Sequence, residues 1–517
     1  MSVWYNVITL VGLVIVASSI LLLVTFALFS LTTPSHNPYV DVIGFLVLPG
    51  VLTAGLIICP LGMLVKAWRV RRRYQAERLT LRLPKLDLND QRLRRFGLAF
   101  TFVTLFLILP LLGLSGYHGY HYTESTSFCG QVCHVVMEPQ YTAHQHSPHA
   151  RVTCAECHIG AGAGWFVKSK LSGTRQVFKV LNDTFPRPVP PAITELRPAR
   201  ETCEECHWPA KFFGQQLKTI VHYAPDERTT RREIRVLLKT GGGDDTVGRV
   251  EGIHAHMALA GRVEYIATDE ELQNVPWVRY VLDSGEEFIY RSDGLAADDP
   301  APRGTRRTVD CMDCHNRAAH LMMPPYSAID AFLEAGHIDR TLPFIKREAL
   351  AALAKPYPTL EAAMEGIERS LRRFYADRPE SAAQAERIQQ AIETVRAIYR
   401  RSFFPAMNVD WRTYPNNIGH LYSPGCLRCH DGHHVNQHGT PISSDCEVCH
   451  TFFNELNEPQ LAVREGQFVH SMDLSQHTNL RCDQCHTGGP LPLCADCHRS
   501  GAWLNERGRE GFRPTTP

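Results

Sequence analysis

The feature that most limits what this chain can fold into is a set of cysteine pairs, each closed by a histidine. There are eight, and the residue after the second cysteine is histidine every time. The first four are Cys129, Cys133 and His134; Cys154, Cys157 and His158; Cys203, Cys206 and His207; and Cys311, Cys314 and His315. The last four are Cys426, Cys429 and His430; Cys446, Cys449 and His450; Cys482, Cys485 and His486; and Cys494, Cys497 and His498. Seven pairs have two residues between the cysteines and the first has three. C-x-x-C-H is the attachment signature of c-type haem. Two thiols add to the porphyrin vinyl groups, and the adjacent histidine is held under the iron as an axial ligand. Zinc knuckles or disulfides would use the cysteines but would not need a histidine in that place each time. Eight haem c groups are expected, because a three-residue spacer still lets both thiols reach the vinyls. Of seventeen cysteines only Cys59 is left over, and within an apolar stretch it reads as a small buried residue.

A low-spin haem needs a second axial ligand. Sixteen histidines outside the motifs lie beyond Tyr117, enough for bis-histidine ligation throughout. The best placed are His146, His149, His222, His254, His256, His320, His420, His434 and His470. Met137, three residues after His134, is a candidate at the first haem. There it would raise the potential relative to a second histidine.

Net charge is +1, so composition offers no reason to expect nucleic acid as a partner. The apolar residues are concentrated in the first 117 positions. Residues 3–32, 42–65 and 96–117 carry no charged side chain, and each stretch is long enough to span a bilayer. The first lacks a basic leader and a small-residue cleavage site, so it reads as a retained helix. Pro49, Pro60 and Pro110 are expected to kink or interrupt these helices. Residues 66–95 carry eleven Lys and Arg against Glu77, Asp87 and Asp90. The positive-inside rule places that loop in the cytoplasm. The N-terminus is then cytoplasmic too, and everything after Tyr117 is periplasmic. Haem attachment by thiol addition needs that outer compartment, so a second argument agrees.

The expected fold is mainly α. It has a three-helix membrane anchor (1–117) and a loop-rich multihaem part. The haem-bearing segments are 118–229, 301–344 and 412–517. Two insertions separate them. Residues 230–300 alternate in strand fashion, with a hairpin signal at Asp283-Ser284-Gly285. Residues 345–411 read as helical, with Ile388, Ala391, Ile392, Val395 and Tyr399 at helical spacing.

The runs STSFCGQVCHVVMEPQY, HSPHARVTCAECHIG, WFVKSKLSG and TCEECHWPAKFFG, over residues 100–225, resemble the NapC/NirT family of membrane-anchored quinol dehydrogenases. CMDCHNRAAH and GCLRCHDGHHV are similar to its larger, seven- or eight-haem branch. The resemblance implies a menaquinol or ubiquinol site beside the first haem, at the outer membrane surface. It also implies a methionine after the first motif, here Met137, and a lysine after the second, here Lys168 or Lys170. The chain departs from the family's usual form in three ways. It has three spans rather than one, an extra residue in the first motif, and the methionine one place further along.

Quinol oxidation releases two protons with two electrons, so a titratable group is needed beside the first haem. Lys168, Lys170 and Glu138 are the candidates, with His118, His121 and Glu124 also near the end of the third span. The expected function is oxidation of a membrane quinol, with electrons passed through covalent haems to a periplasmic cytochrome, a reductase or an extracellular acceptor chain. The partners are then the quinone pool of the inner membrane, the lipid bilayer and that acceptor. Two alternatives remain open. One is an electron-relay subunit of a larger membrane complex. The other is a terminal reductase, which would need a haem with an open axial position, and no C-x-x-C-K motif is present.

Overall fold

A computed structural model describes residues 6–32, 38–73, 91–159, 163–191, 199–208, 212, 214–242, 252–258, 261–296, 298–376, 378, 383–451, 462–464 and 467–469. Cys482, Cys485 and His486 of the seventh motif lie outside the described residues, and so do Cys494, Cys497 and His498 of the eighth. His470, the side chain of His134 and much of the loop 66–95 do too. The chain packs as two units, Met1–Met137 with Thr153–Ala155, and Glu138–Val152 with Glu156–Pro517.

The first unit is helical. Helix α1 (Val7–Thr32) packs along α3 (Leu48–Arg73), which follows a short α2 (Pro38–Val42) and a π-helical turn (Ile43–Val47). Then come α4 (Gln91–Val103), a second π turn (Thr104–Ile108) and α5 (Leu109–Glu124). Three segments, Val7–Phe29, Val40–Arg69 and Gly97–Glu124, are long and apolar enough to cross a membrane. Leu10, Leu21, Ile57, Leu64 and Phe106 are exposed on them, as lipid-facing side chains are. The α1–α3 contact is made by small residues. Gly12 lies against Cys59, Gly55 against Ile15 and Val16, and Gly62 against Thr9. Such residues let membrane helices approach closely. Cys59 sits half-buried in that seam, its Sγ 3.8 Å from the Thr9 carbonyl. Pro49 and Pro110 each lie just after a π turn. A proline lacks the N–H that would close the preceding turn, and the helix widens there. Pro60 is accommodated inside α3.

The second unit mixes short helices with antiparallel sheet. Helices α6 (His134–Gln145) and α7 (Cys154–His158) straddle the boundary, and α8 (Ala163–Leu181) and α9 (Ala199–Cys203) follow. Strands β1 (Gln215–Tyr223) and β2 (Arg231–Lys239) pair in register from Gln215↔Lys239 to Tyr223↔Arg231. Sheet therefore starts earlier than the sequence pattern suggested. Past α10 (Ala255–Ala258), β3 (Gly261–Ala267), β4 (Trp277–Leu282), β5 (Glu287–Arg291) and β6 (Thr305–Thr308) form a sheet in the order β5-β4-β3-β6. The β4–β5 hairpin turns at Asp283-Ser284-Gly285, with Gly285 at φ +87°, a conformation glycine adopts without strain.

Helix α11 (Cys311–Cys314) carries the fourth motif. Helices α12 (Pro325–Glu334), α13 (Ile345–Leu353), α14 (Leu360–Ala376) and α15 (Ala385–Ser402) then form a bundle. Its core holds Ile329, Ile345, Ile367, Leu371, Ile392 and Ile398, each at most 1% exposed. Beyond it lie β7 (Phe403–Phe404), β8 (Val409–Asp410) and β9 (His450–Thr451), the last pairing with the edge of β2. A short pair, β10 (Ala462–Arg464) with β11 (Gln467–Val469), ends the described chain.

Candidate haem-binding sites

Each described motif is a single tight turn, and local polar contacts fix it. At the third, the N–H groups of Cys206 and His207 both donate to the Cys203 carbonyl, at 3.1 and 2.8 Å. At the fourth, Asp310 caps α11 by accepting from Met312 N–H at 2.8 Å, and Asp313 accepts from the Asp310 N–H at 2.7 Å. Asp313 is buried between the two cysteines and also receives Tyr265 Oη at 2.5 Å and Arg307 Nε at 2.8 Å. Arg428, in the fifth motif, donates to the Asp313 carbonyl at 2.7 Å and to the Leu272 carbonyl at 2.7 Å. The sixth motif is tied to β2, where Lys239 N–H donates to the Cys449 carbonyl at 2.8 Å. At the first motif, the extra residue is absorbed as a π turn over Phe128–Val132. Insertion of one residue into helix commonly has that result.

Cys206 and Cys314 differ from the other attachment cysteines. Both are exposed, while the remaining described ones are half-buried. Each is the second cysteine of its motif and directly precedes the motif histidine.

Every motif histidine whose side chain is described faces a second histidine. The ring centres are 6.1 Å apart for His158 and His320, and 6.1 Å for His149 and His207. They are 6.3 Å apart for His254 and His315, 5.9 Å for His256 and His430, and 6.3 Å for His420 and His450. A metal–imidazole bond is about 2 Å long, so two rings bound through one metal have their centres about 6 Å apart.

Four of the five opposing histidines are also held in the tautomer that such bonding requires. Nδ1–H is donated to a backbone carbonyl in His149 (Ala318, 3.3 Å), His254 (Thr240, 2.9 Å), His256 (Ile253, 2.9 Å) and His320 (Gln140, 3.1 Å). The Nε2 lone pair is left for a metal, and the ring is oriented by the bond. Burial adds to this. It lowers the pKa of His158, His315, His420, His430 and His450. Burial, with Arg317 and His158 beside it, brings His320 down to about 3. Neutral imidazole is the form that binds metal.

The pairs and the thiols beside them fit haem. Among the described residues no group of three or more His, Cys, Asp or Glu converges on one point, as a structural zinc site would need. All described cysteines are free of disulfides.

Residues 92–188 match the N-terminal region of the NapC/NirT cytochrome c family. The cytochrome c-type protein ImcH of Geobacter sulfurreducens is 40% identical over 493 residues, which is 93% of this chain and 95% of that relative. No solved structure matches. The chain belongs to the NapC/NirT cytochrome c family. As a NapC/NirT cytochrome it is a membrane multihaem c-type protein that carries covalent haem c and transfers electrons.

The remaining candidates are placed differently. His434 is 2% exposed and has both ring nitrogens engaged, Nδ1 with Asp431 at 2.9 Å and Nε2 with the Val275 carbonyl at 2.6 Å. No nitrogen is left there for iron. His222 contacts Asp330 through Nδ1 at 3.3 Å and lies 6.1 Å from the Tyr326 ring. His146 is exposed and donates Nδ1–H to the Thr142 carbonyl at 2.8 Å. His144 also lies 6.3 Å from His320, but its Nε2 is spent on the Val152 carbonyl at 2.9 Å.

Positions 134 and 137 are three apart on α6 and share one helix face. A single iron therefore takes at most one of His134 and Met137 from that face. Lys168 and Lys170 are both on α8, with Lys168 Nζ 5.0 Å from the Trp165 ring. Residues two apart on a helix do not face one another, so a bound molecule meets one of these lysines, not both. Glu138 is exposed on α6.

The carbonyls of Gln140, Thr240, Ile253 and Ala318 set the histidine tautomers and had no signal in the sequence. Any residue can supply a backbone carbonyl.

Proposed function

We propose that this NapC/NirT cytochrome oxidises membrane quinol and passes the electrons through a series of six-coordinate haems to a periplasmic or extracellular acceptor. The observation that carries the reading is the set of facing histidine pairs. His158 with His320, His207 with His149, His315 with His254, His430 with His256 and His450 with His420 would each hold one iron from both faces. Haem held in this way would supply one-electron transfer, and at these five described sites it would leave no open position for a small substrate. A terminal reductase would need such a position, so relay is favoured.

Order along the relay follows from the attachment cysteines. Cys203 of the third motif and Cys311 of the fourth are in hydrogen-bonding contact, and Cys157 of the second interacts with Cys203. Cys314 of the fourth interacts with Cys426 and Cys429 of the fifth, and Cys449 of the sixth with Cys426. Haems two to six thus succeed one another in chain order.

Electron uptake from quinol is supported by α8. Its charged residues, Lys168, Lys170, Arg175 and Lys179, are all basic, and Leu171, Val177, Phe178 and Leu181 are exposed on it. A basic helix with an exposed apolar face suits the membrane interface, where quinol is met. One lysine there stabilises the developing quinolate, and Glu138 is the group available to take a proton. The haem part is periplasmic and the loop 66–95 cytoplasmic, from the arginine asymmetry.

The test uses the purified full chain in nanodiscs with a quinol analogue. The haems should reduce without any other subunit, and failure to do so would favour a relay subunit fed by a partner. Lys168→Ala or Lys170→Ala should slow that reduction by about tenfold, or about 1.4 kcal/mol of barrier, while a small artificial reductant still fills the haems. Intact mass should show eight haem additions. Seven would mean the site at Cys129 and Cys133 is empty.

A further inference from the structure

We propose that residues 253–257 form one clamp on two neighbouring haems. His254 is the distal ligand at the fourth motif and His256 the distal ligand at the fifth, and the clamp holds the two irons in different electronic classes. This rests on the reading of facing histidines as axial ligands and extends it to how two haems are coupled.

Three observations converge. First, His254 and His256 are two residues apart, so their Cα atoms are at most about 7 Å apart, yet they face histidines of different motifs, His315 and His430. Second, the fourth and fifth motifs are tied together by a route that does not involve the clamp, since Arg428 of the fifth donates to the Asp313 carbonyl of the fourth at 2.7 Å. The two haems are therefore adjacent at both their attachment and their distal sides. Third, the clamp is rigid. The Thr240 carbonyl accepts both the backbone N–H of His254, at 3.1 Å, and its Nδ1–H, at 2.9 Å. Ile253 N–H donates to the Lys239 carbonyl at 2.9 Å, and its own carbonyl accepts Nδ1–H of His256 at 2.9 Å. The Phe212 ring lies 4.8 Å from that of His254. Gly242, at φ +120°, closes the wall. A Cβ there would come 2.7 Å from the Phe212 carbonyl oxygen and 3.2 Å from His254 Cβ. Opposite, His430 is oriented by its own Nδ1 contact with the Ser443 carbonyl at 2.9 Å.

Ring orientation is where the two sites differ. His254 and His315 are almost parallel, at 5°, whereas His256 and His430 are perpendicular, at 90°. Each imidazole donates π density into one of two iron d orbitals. Parallel rings load the same orbital, split the pair and favour ferric iron. Perpendicular rings load one each and leave the pair nearly degenerate. The fourth haem is thus expected to give a moderately anisotropic, rhombic low-spin signal and the lower potential of the two. The fifth is expected to give a strongly anisotropic signal and the higher potential. An electron passing from fourth to fifth then runs downhill between directly linked neighbours.

The test is low-temperature electron paramagnetic resonance on the oxidised full chain in nanodiscs, with haems counted by intact mass. His254→Met should remove one equivalent of the rhombic signal and add an iron–methionine charge-transfer band. His256→Met should leave the rhombic signal intact and remove one equivalent of the strongly anisotropic one. If methionine blocks maturation, His254→Ala and His256→Ala serve instead, each converting one equivalent to high-spin. Spectra like the parent's, or both variants altering the same signal, would overturn the clamp. A largely high-spin parent would instead overturn the axial-pair reading beneath it, so the two failures are distinguishable.

Discussion

Helices α12 to α15 bury Ile329, Ile345, Ile367, Leu371 and Ile392 almost completely, whereas the short helices that carry motifs bury little of their own. In α7 the buried residue is Ala155, and in α11 it is Asp313. The bundle is a core of side chains closed by their own packing. The motif turns are held by polar contacts, such as those of Tyr265, Arg307 and Arg428 with Asp313. They leave Cys206 exposed, and their histidines face partners whose ring centres are about 6 Å away rather than packing into a side-chain core. The same chain therefore builds one region to hold itself together and another to be completed by its cofactors.

The widest break in this comparison would come from producing the full chain where haem is not attached. Residues 325–404 should resist limited proteolysis while the motif-bearing stretches are cut at least about tenfold faster, since opening free energy follows local buried contacts. Equal rates would mean that the bundle also depends on the haems.

Within the bundle, the largest single effect is expected at Lys346. It is fully buried, its Nζ pairs with Asp330 and lies 3.2 Å from the Tyr326 ring centre. Lys346→Met removes the buried cation beside Asp330, leaving it, among the described residues, only the His222 ring at 3.3 Å and the Tyr223 N–H at 3.2 Å, and should cost about 3–5 kcal/mol in denaturant unfolding. The haem spectrum should not change, because no facing histidine pair contacts that site. Ile392→Ala, at a 0% exposed position, should cost about 2–5 kcal/mol by leaving a cavity, again with full haem content. The smallest effect is expected at Arg369, which with Glu365 forms a surface pair 75% and 73% exposed. Arg369→Ala should shift stability by less than about 0.5 kcal/mol. If Ile392→Ala instead lost haem, the two regions would be one cooperative unit.

The bundle was legible in sequence because its core is periodic, and the anchor because its three spans are long and uncharged. Ile388, Ala391, Ile392, Val395 and Tyr399 fall on one helical face, and all are buried. The haem attachments were legible for a chemical reason, since thioether formation requires two thiols and a histidine a few residues apart. The histidines that face the motifs were legible only as a crowd of histidines. His149, His254, His256, His320 and His420 looked no different from His146, His222 and His434. What separates them is whether the fold carries them across to a motif. His320 is supplied from after the fourth motif to the second, and His149 from before the second to the third.

Attachment, membrane spans and helical periodicity are local properties, settled within a few residues by covalent reach, hydropathy and the helical repeat, so sequence alone determined them. Which histidine faces which motif histidine, which carbonyl fixes its tautomer, and how the ring planes of His254 and His256 are set depend on segments far apart in the chain meeting in space. Only the tertiary structure decided those, because a facing partner is defined by where it arrives and not by what surrounds it in the chain.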